Sequence, residues 1–450
     1  MSFQRNTLRH FDTLSVACFE SLAEGEQLTL NLAAEEQMYV RFNNSGVRQS
    51  TDVKQARLSL RFQSVGRRIV YTFDSTGEDR QDAATALSLL TRARDEVKHL
   101  PEDPFLIPPE NQGHSQLHHA GRLPQLEALL GQVTKHTASA DFTGLYAGGP
   151  QLRAIRNSEG LRHVFSTESF FLDYSLFTVN GSGENKAVKG LYAGTEWEVA
   201  GFEQSVRDSL KQLDLLKRDS RELSPGHYRV FFAPAAVEAL LSLFSWGGVG
   251  YGAWKKGDSA LKHLIEGERQ LSPLFSLEEN FNAGLTPRFN SQGEIAPERL
   301  SVIEHGVVRN LLISSRTARE YGVSGNGAES GEGLRSPEMA TGELDDAAIL
   351  ASLGTGIYIS NLHYLNWSDL VNARITGMTR YACFWVENGE IVSPIRDLRF
   401  DESLYRVFGS ELESITKTAS VLMETDTYSQ RALGGSTVPG MLVREFRFTL

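Results

Sequence analysis

A hairpin-like phrase occurs twice in this chain, with a proline-dense break between the copies. In "YVRFNNSGVRQSTDVKQARLSLRF", Asn43, Gly46 and Arg48 are spaced N-x-x-G-x-R. In "RAIRNSEGLRHVFSTESFFLDYSLF", Asn157, Gly160 and Arg162 repeat that spacing. In both, a polar turn separates runs that alternate apolar and polar residues, the pattern of a β-hairpin. A helix-period segment follows each, over 82–100 and 202–216. Between them stand Pro101, Pro104, Pro108 and Pro109. Four prolines so close together cannot propagate a helix or sit inside a sheet. The expected organisation is therefore an N-terminal α/β domain (1–100), a Pro-rich linker (101–125) and a second β-hairpin/helix domain (126–222).

After "RELSPGH" (221–227) the texture changes to strands: "YRVFFAP", "RLSVIEHGVVRNLLISS", "GIYISNLHYL" and "ACFWVENGEIVSPIRDLRF". Residues 223–450 read as a strand-rich mixed C-terminal domain, and the fold class expected for the whole chain is α+β. "GVSGNGAESGEGLRSP" (322–337) reads as a flexible Gly/Ser loop within that domain.

The charge and the apolar runs exclude several functions. A net charge of −11 does not suit a nucleic-acid surface, which needs clustered Lys and Arg. No apolar run approaches the ~18 residues of a membrane span. "MSFQRNTLRHFDTLSVACFESL" is broken by Arg, His and Asp, unlike a signal peptide. Two cysteines, Cys18 and Cys383, make no disulfide framework and suit a reducing cytoplasm.

The stretch "LLSLFSWGGVGYGAWKKGDS" (240–259) has the outline of a site and none of the chemistry. Val237, Leu240, Leu241 and Phe244 fall on one helical face, and Gly247-Gly248 end the helix. It is no phosphate loop, because Ala253-Trp254 intervene where Gly-Lys-Ser/Thr is required and a helix precedes it. His114 and His118 stand at i, i+4, a spacing that shares one metal on a helix face. Beside the prolines, with no helical pattern around them, they read as exposed linker histidines. Cys18 and Cys383 lie in apolar surroundings and read as inert buried thiols. Glu304 and Glu387 each precede a turn and read as solvated. Local chemistry thus yields no catalytic and no metal-binding residues.

Two longer phrases carry more. "SVIEHGVVRNLLISSRTAREYG" (301–322) and "TGMTRYACFWVENGEIVSPIRDLRF" (376–400), with the 240–259 corner and the N-x-x-G-x-R hairpins, resemble the TldD/PmbA (TldE) family over nearly the whole chain. Catalytic TldD-type members carry Leu-Leu-His-Glu-x-x-x-His, a glycine-rich run and a Lys-Gly-x-Ser close. Here Leu240-Leu241 and Lys256-Gly257-Asp258-Ser259 match the ends, so the two zinc positions and the general-base position fall on Ser242, Leu243 and Gly247. None of the three can do the work. The region of the family's further zinc-binding Cys, here 421–440, holds no cysteine. Two more departures are Phe289-Asn290-Ser291-Gln292-Gly293, where the family has FDxEG, and a shortened "GMTRYAC" loop (377–383).

The resemblance implies the PmbA/TldE side of the family: a non-catalytic subunit of a cytoplasmic zinc metallopeptidase. Its partner would be a TldD-like zinc subunit, with zinc expected there and no cofactor in this chain. Its substrate would be an extended or unfolded peptide. Trp246 and Tyr251, beside the vacant corner, are expected either to line the cleft or to fill the vacated metal pocket. The alternative is a stand-alone homodimeric protein that binds a peptide or small molecule without peptidase activity.

Overall fold

The computed structural model describes residues 2–450. The first half is built twice over on one plan. Helix α1 (Ser2–Glu20) leads into strands β1 (Glu26–Asn43), β2 (Gly46–Ser64) and β3 (Arg67–Asp74) and then helix α2 (Asp79–Glu96). After a short strand, β4 (His114–His119), the order recurs as α3 (Leu126–Thr137), β5 (Asp141–Asn157), β6 (Arg162–Val179), β7 (Asn185–Gly194) and α4 (Val199–Leu216). Both units lie in one seven-stranded sheet of order β3-β2-β1-β5-β6-β4, with β7 also on β6. The join is the long antiparallel pairing of β1 with β5, from Thr29–Asn157 to Phe42–Gly144.

The two N-x-x-G-x-R phrases do not form the same turn. Asn44 and Ser45 both take positive φ (49° and 58°), the two-residue hairpin turn that suits strand twist. At the second, the Asn157 Oδ1 accepts from Glu159 N and Leu161 N, both at 3.0 Å, making a longer Asx-type turn. What repeats is the order of elements.

The segment expected to be a linker contains β4, which pairs in parallel with Arg162–Thr167 of β6. The prolines end before it, so they leave its ladder N–H groups intact.

Both faces of the sheet are covered, by different means. On β1, Leu28, Leu30, Leu32 and Ala34 are buried in an apolar core with α1 and α2. The alternate residues Thr29, Glu35 and Gln37 are buried too, and this face is polar. Loops of the C-terminal half dock on it. Ser291 O accepts from Asn31 Nδ2 (3.3 Å) and Arg61 Nη1 (3.0 Å), and Gln430 Nε2 donates to Ala33 O (3.1 Å). Arg431, buried, donates to Ser169 Oγ at 3.0 Å.

The second half is a mixed thirteen-stranded sheet. At its centre β8 (Gly226–Phe232) runs parallel to Gly356–Ile359 and antiparallel to Gly435–Phe448. The architecture is α+β, with strand-and-helix units first and the strand-rich mixed sheet second. Helix α5 (Pro234–Ser245) leaves the end of β8 directly and carries the site.

Candidate functional site

Pro234 takes the first helical position of α5, where its missing N–H is no loss. Ala236, Val237, Leu240, Leu241, Leu243 and Phe244 are buried, and Phe244 meets Phe408 edge-on at 5.4 Å. The helix stops at Ser245. Trp246 is its C-cap, and Gly247 follows with φ +79°.

The three positions matched to the zinc motif do not converge. Ser242 is exposed and donates its Oγ hydrogen to Ala239 O at 2.8 Å. Leu243 is buried in the core, and Gly247 lies beyond the helix end. Among the described residues, no group of three or more His, Cys, Asp or Glu is arranged to hold a metal ion.

The glycine corner is filled by a residue that sequence reasoning missed. Glu332 is buried at φ +51° and accepts from Gly252 N at 2.7 Å and from Ser314 N at 2.8 Å. A Cβ on Gly250 or Gly252 would come within 3.1–3.2 Å of Glu332 atoms. These glycines make room for a carboxylate of the chain's own. Helix α6 (Tyr251–Lys256) starts on this clamp. The loop 322–337, expected to be flexible, is therefore pinned. Leu334 N donates to Ser245 Oγ (3.1 Å), and Arg335 N to Glu279 Oε1 (2.8 Å). The Arg335 guanidinium lies 4.7 Å from the centre of the Phe281 ring. Buried backbone donors need acceptors, and that need overrides the loop's composition.

The other half of α5 opens onto a cavity of about 460 Å³. Its walls include Asp173, Lys189, Glu238, Tyr358, Asn361 and Glu424, drawn from both sheets. Strand β7 is laddered only to β6, and beyond Lys417 the strand Leu412–Met423 is laddered only to Gly435–Phe448, among the described residues. Residues of both line this cavity. Desolvation of the half-buried Glu238, helped by the neighbouring Glu424, pushes its carboxyl up to about 7; Glu424, though its surface is exposed, is raised by partial desolvation and the nearby Asp426. Glu238 escaped notice because an isolated Glu on an amphipathic helix reads as solvated. Glu424 is too distant in sequence to be paired with it.

The remaining candidates separate. Trp246 is exposed, and Tyr251 stacks edge-on with Trp254 at 5.2 Å, with Lys255 Nζ 4.0 Å above the Trp254 ring. Both belong to the closed corner, and neither lines the cavity at the other end of α5. His114 and His118 are exposed, as expected, but on a strand. There, four residues span ~13 Å, too far to share an ion. Each has its own partner, Gly160 O and Ser166 Oγ, both at 2.9 Å. Burial raises the thiols of Cys18 and Cys383, to about 12 and about 11. Glu304 pairs with Arg309 at 2.8 Å and Glu387 with Arg221 at 2.6 Å, in separate places.

Residues 225–450 match the family model of the PmbA/TldA metallopeptidase C-terminal domain. The chain belongs to the PmbA/TldD family. This PmbA/TldD chain is 29% identical over 257 residues to the metalloprotease PmbA homolog of Haemophilus influenzae, covering 55% of the chain and 54% of that protein. It is also 29% identical over 194 residues to metalloprotease PmbA of Escherichia coli O157:H7, covering 41% of each. The chain thus spans about half the length of the curated relatives it matches. TldE of Thermococcus kodakarensis superposes with a TM-score of 0.76 at 13% identity, over 98% of this chain and 100% of that one, a likeness of fold. The matched family domain holds α5, the closed corner, Glu238 and Glu424, whereas Asp173 and Lys189 come from the N-terminal half. No helix of the described residues is long and apolar enough to cross a membrane.

Proposed function

We propose that this chain is a non-catalytic, peptide-holding subunit of a cytoplasmic PmbA/TldD-type metallopeptidase. Its partner is a zinc-bearing member of the same family, which supplies the metal and the hydrolytic step. The observation that carries the reading is the geometry of α5. Ser242 is bonded to its own helix, Leu243 is core, and the helix has ended before Gly247. A water-activating zinc needs three protein ligands and an open position, with a base beside it. The residues at the matched positions do not fit a zinc ion, so no chemical step is assigned to this chain.

Peptide holding is supported by the cavity between β7 and the strand Leu412–Met423, each laddered on one side. An extended peptide adds to such edges through main-chain bonds, a mode tolerant of side-chain sequence.

The test is native mass spectrometry of the tagged chain isolated from its own cells. The expected species is a complex with a second family member whose zinc stays with that member when the complex is dissociated. A zinc-free homodimer would favour the stand-alone binder. Zinc retained by this chain alone would overturn the reading.

A further inference from the structure

We propose that His119 and His163 make the seam between the two halves of the chain a pH-sensitive latch. With both imidazoles neutral, the loop 284–293 lies docked on the N-terminal sheet; protonating them in mildly acidic solution releases it.

The two rings stand on one face of neighbouring strands. β4 pairs with β6 so that Ser115 lies opposite His163, Leu117 opposite Phe165 and His119 opposite Thr167. Alternate residues of a strand share a face, and here that face meets the C-terminal half. His163 is fully buried, and its ring stacks on Phe289 at 5.7 Å and 23°. His119 packs closely on Gly284, where a Cβ would come within 2.7 Å of the ring. Phe165 and Phe289 belong to one small apolar cluster with Ile155 and Leu161, and Leu433 packs against it. The rings thus lie among hydrocarbon and glycine.

A second observation is what the rings lack. The Nε2 atom of each is buried without a hydrogen-bond partner, and His163 Nδ1 meets only Ser115 Oγ, at 2.8 Å. His10 is treated in the opposite way. It is also buried, and its two ring nitrogens meet Asp79 and Asp82. Neither His119 nor His163 forms an ion pair among the described residues. A buried imidazolium needs acceptors for both N–H groups and a counter-charge.

Around His163 stand His114 on β4, Arg153 beside Ile155 on β5, Arg61, which donates to Ser291 O, and Glu294 and Arg335 of the C-terminal half. Glu294 is already engaged by Asn290 and Ser315. His118 adjoins His119, and Glu424 and Arg431 share with Gly284 the small pocket next to it. Arginines outnumber carboxylates in these surroundings, which further disfavours charge on the rings. Burial, with His118 beside the one and His114 beside the other, holds both imidazoles below the usual histidine range, and the Gly293 backbone opposes this in part at His163. The docked loop therefore binds fewer protons than the released one. Docking is complete above the ordinary histidine value of 6.5 and is lost as pH falls below it. Gly434 N donates to Leu285 O at 3.0 Å, which ties the strap 424–434 to the same loop. The first residues of that strap line the cavity beside α5, so release of the loop slackens the cavity wall.

The experiment is hydrogen exchange of the full-length chain at pH 7.5 and pH 5.5, with H119Q/H163Q measured beside the wild type so that intrinsic rates cancel. Gln is polar and does not titrate. The quantity read is the ratio of wild-type to variant exchange over 284–293. It is expected to rise about tenfold or more between pH 7.5 and pH 5.5, since each proton taken up on release weakens docking by up to tenfold per pH unit. H114Q/H118Q removes the exposed histidines of the same strand and is expected to keep the wild-type response. A ratio that does not change with pH, or a response lost in H114Q/H118Q, would overturn the latch. Should the double variant fail to fold, H119Q alone carries the comparison. Its ratio is expected to rise about threefold or more, and a ratio unmoved by pH overturns the proposal.

Discussion

At its C-terminal end, α5 runs into a corner where Glu332 is buried and accepts two backbone N–H bonds, from Gly252 and Ser314. In its first two turns it presents Glu238 to a cavity whose walls also carry Asp173, Lys189, Asn361 and Glu424. At one end of the helix a loop carboxylate, Glu332, is satisfied by the fold, and near the other the helix's own Glu238 faces a cavity. In zinc-bearing relatives, by the resemblance, chemistry sits at the C-terminal end. Here that end is closed by the chain's own side chain, and the open functional groups lie towards the N-terminal end. A buried carboxylate with donors is part of the architecture; one that faces a cavity without them is available for work.

Four variants sharpen or break that contrast. Phe244→Ala removes the ring packed against Phe408 and Phe275 and is expected to cost about 3–5 kcal/mol in urea denaturation. A loss under 1 kcal/mol would mean that α5 is not anchored as described. Glu332→Ala strands two buried N–H donors at the closed corner and is expected to cost roughly 2–4 kcal/mol. It should also make the 322–337 loop susceptible to limited proteolysis, and unchanged stability would show the corner to be no clamp.

Glu238→Gln is expected to act in the opposite direction. Folding holds the Glu238 proton up to about pH 7, against 4.5 for the ordinary carboxyl. The folded state therefore binds more protons than the unfolded state in that window, and wild-type stability falls as pH rises through it. Above pH 7 the Gln variant should be the more stable, by on the order of 2 kcal/mol, and the advantage should vanish below about pH 4.5. A variant less stable than the wild type at pH 8 would mean that Glu238 has a partner after all. The smallest effect comes from returning histidines to the corner. Ser242→His with Gly247→His is expected to cost about 1 kcal/mol, since position 247 has φ +79°. Isothermal calorimetry should show no stoichiometric zinc binding, and tight zinc binding would show that the corner keeps its metal geometry.

The features legible in the sequence were the local ones. The 3.6-residue period of Val237, Leu240, Leu241 and Phe244 marks the buried face of α5, and the alternation around Asn43 and Asn157 marks two hairpins, because both patterns are written within a dozen residues. Three features were not legible. Strand β4 exists only through its partner Arg162–Thr167, far along the chain. Loop 322–337 has the composition of a flexible segment, and what fixes it is one side chain accepting N–H bonds from Gly252 of α6 and from Ser314. Glu238 looks like an ordinary surface carboxylate until the fold half-buries it, and Glu424, which stays exposed, reaches the same cavity from far along the chain. The vacant zinc positions were readable only as a resemblance; the reason they cannot converge, a helix that ends at Ser245, belongs to the structure.

The measurement that bears most directly on the central contrast is hydrogen exchange of the full-length chain with and without a saturating extended peptide. The account predicts slower exchange in 185–194 and 418–425, beside the open half of α5, with no change in 246–257. Protection confined to 246–257 would place the peptide at the closed corner and contradict it.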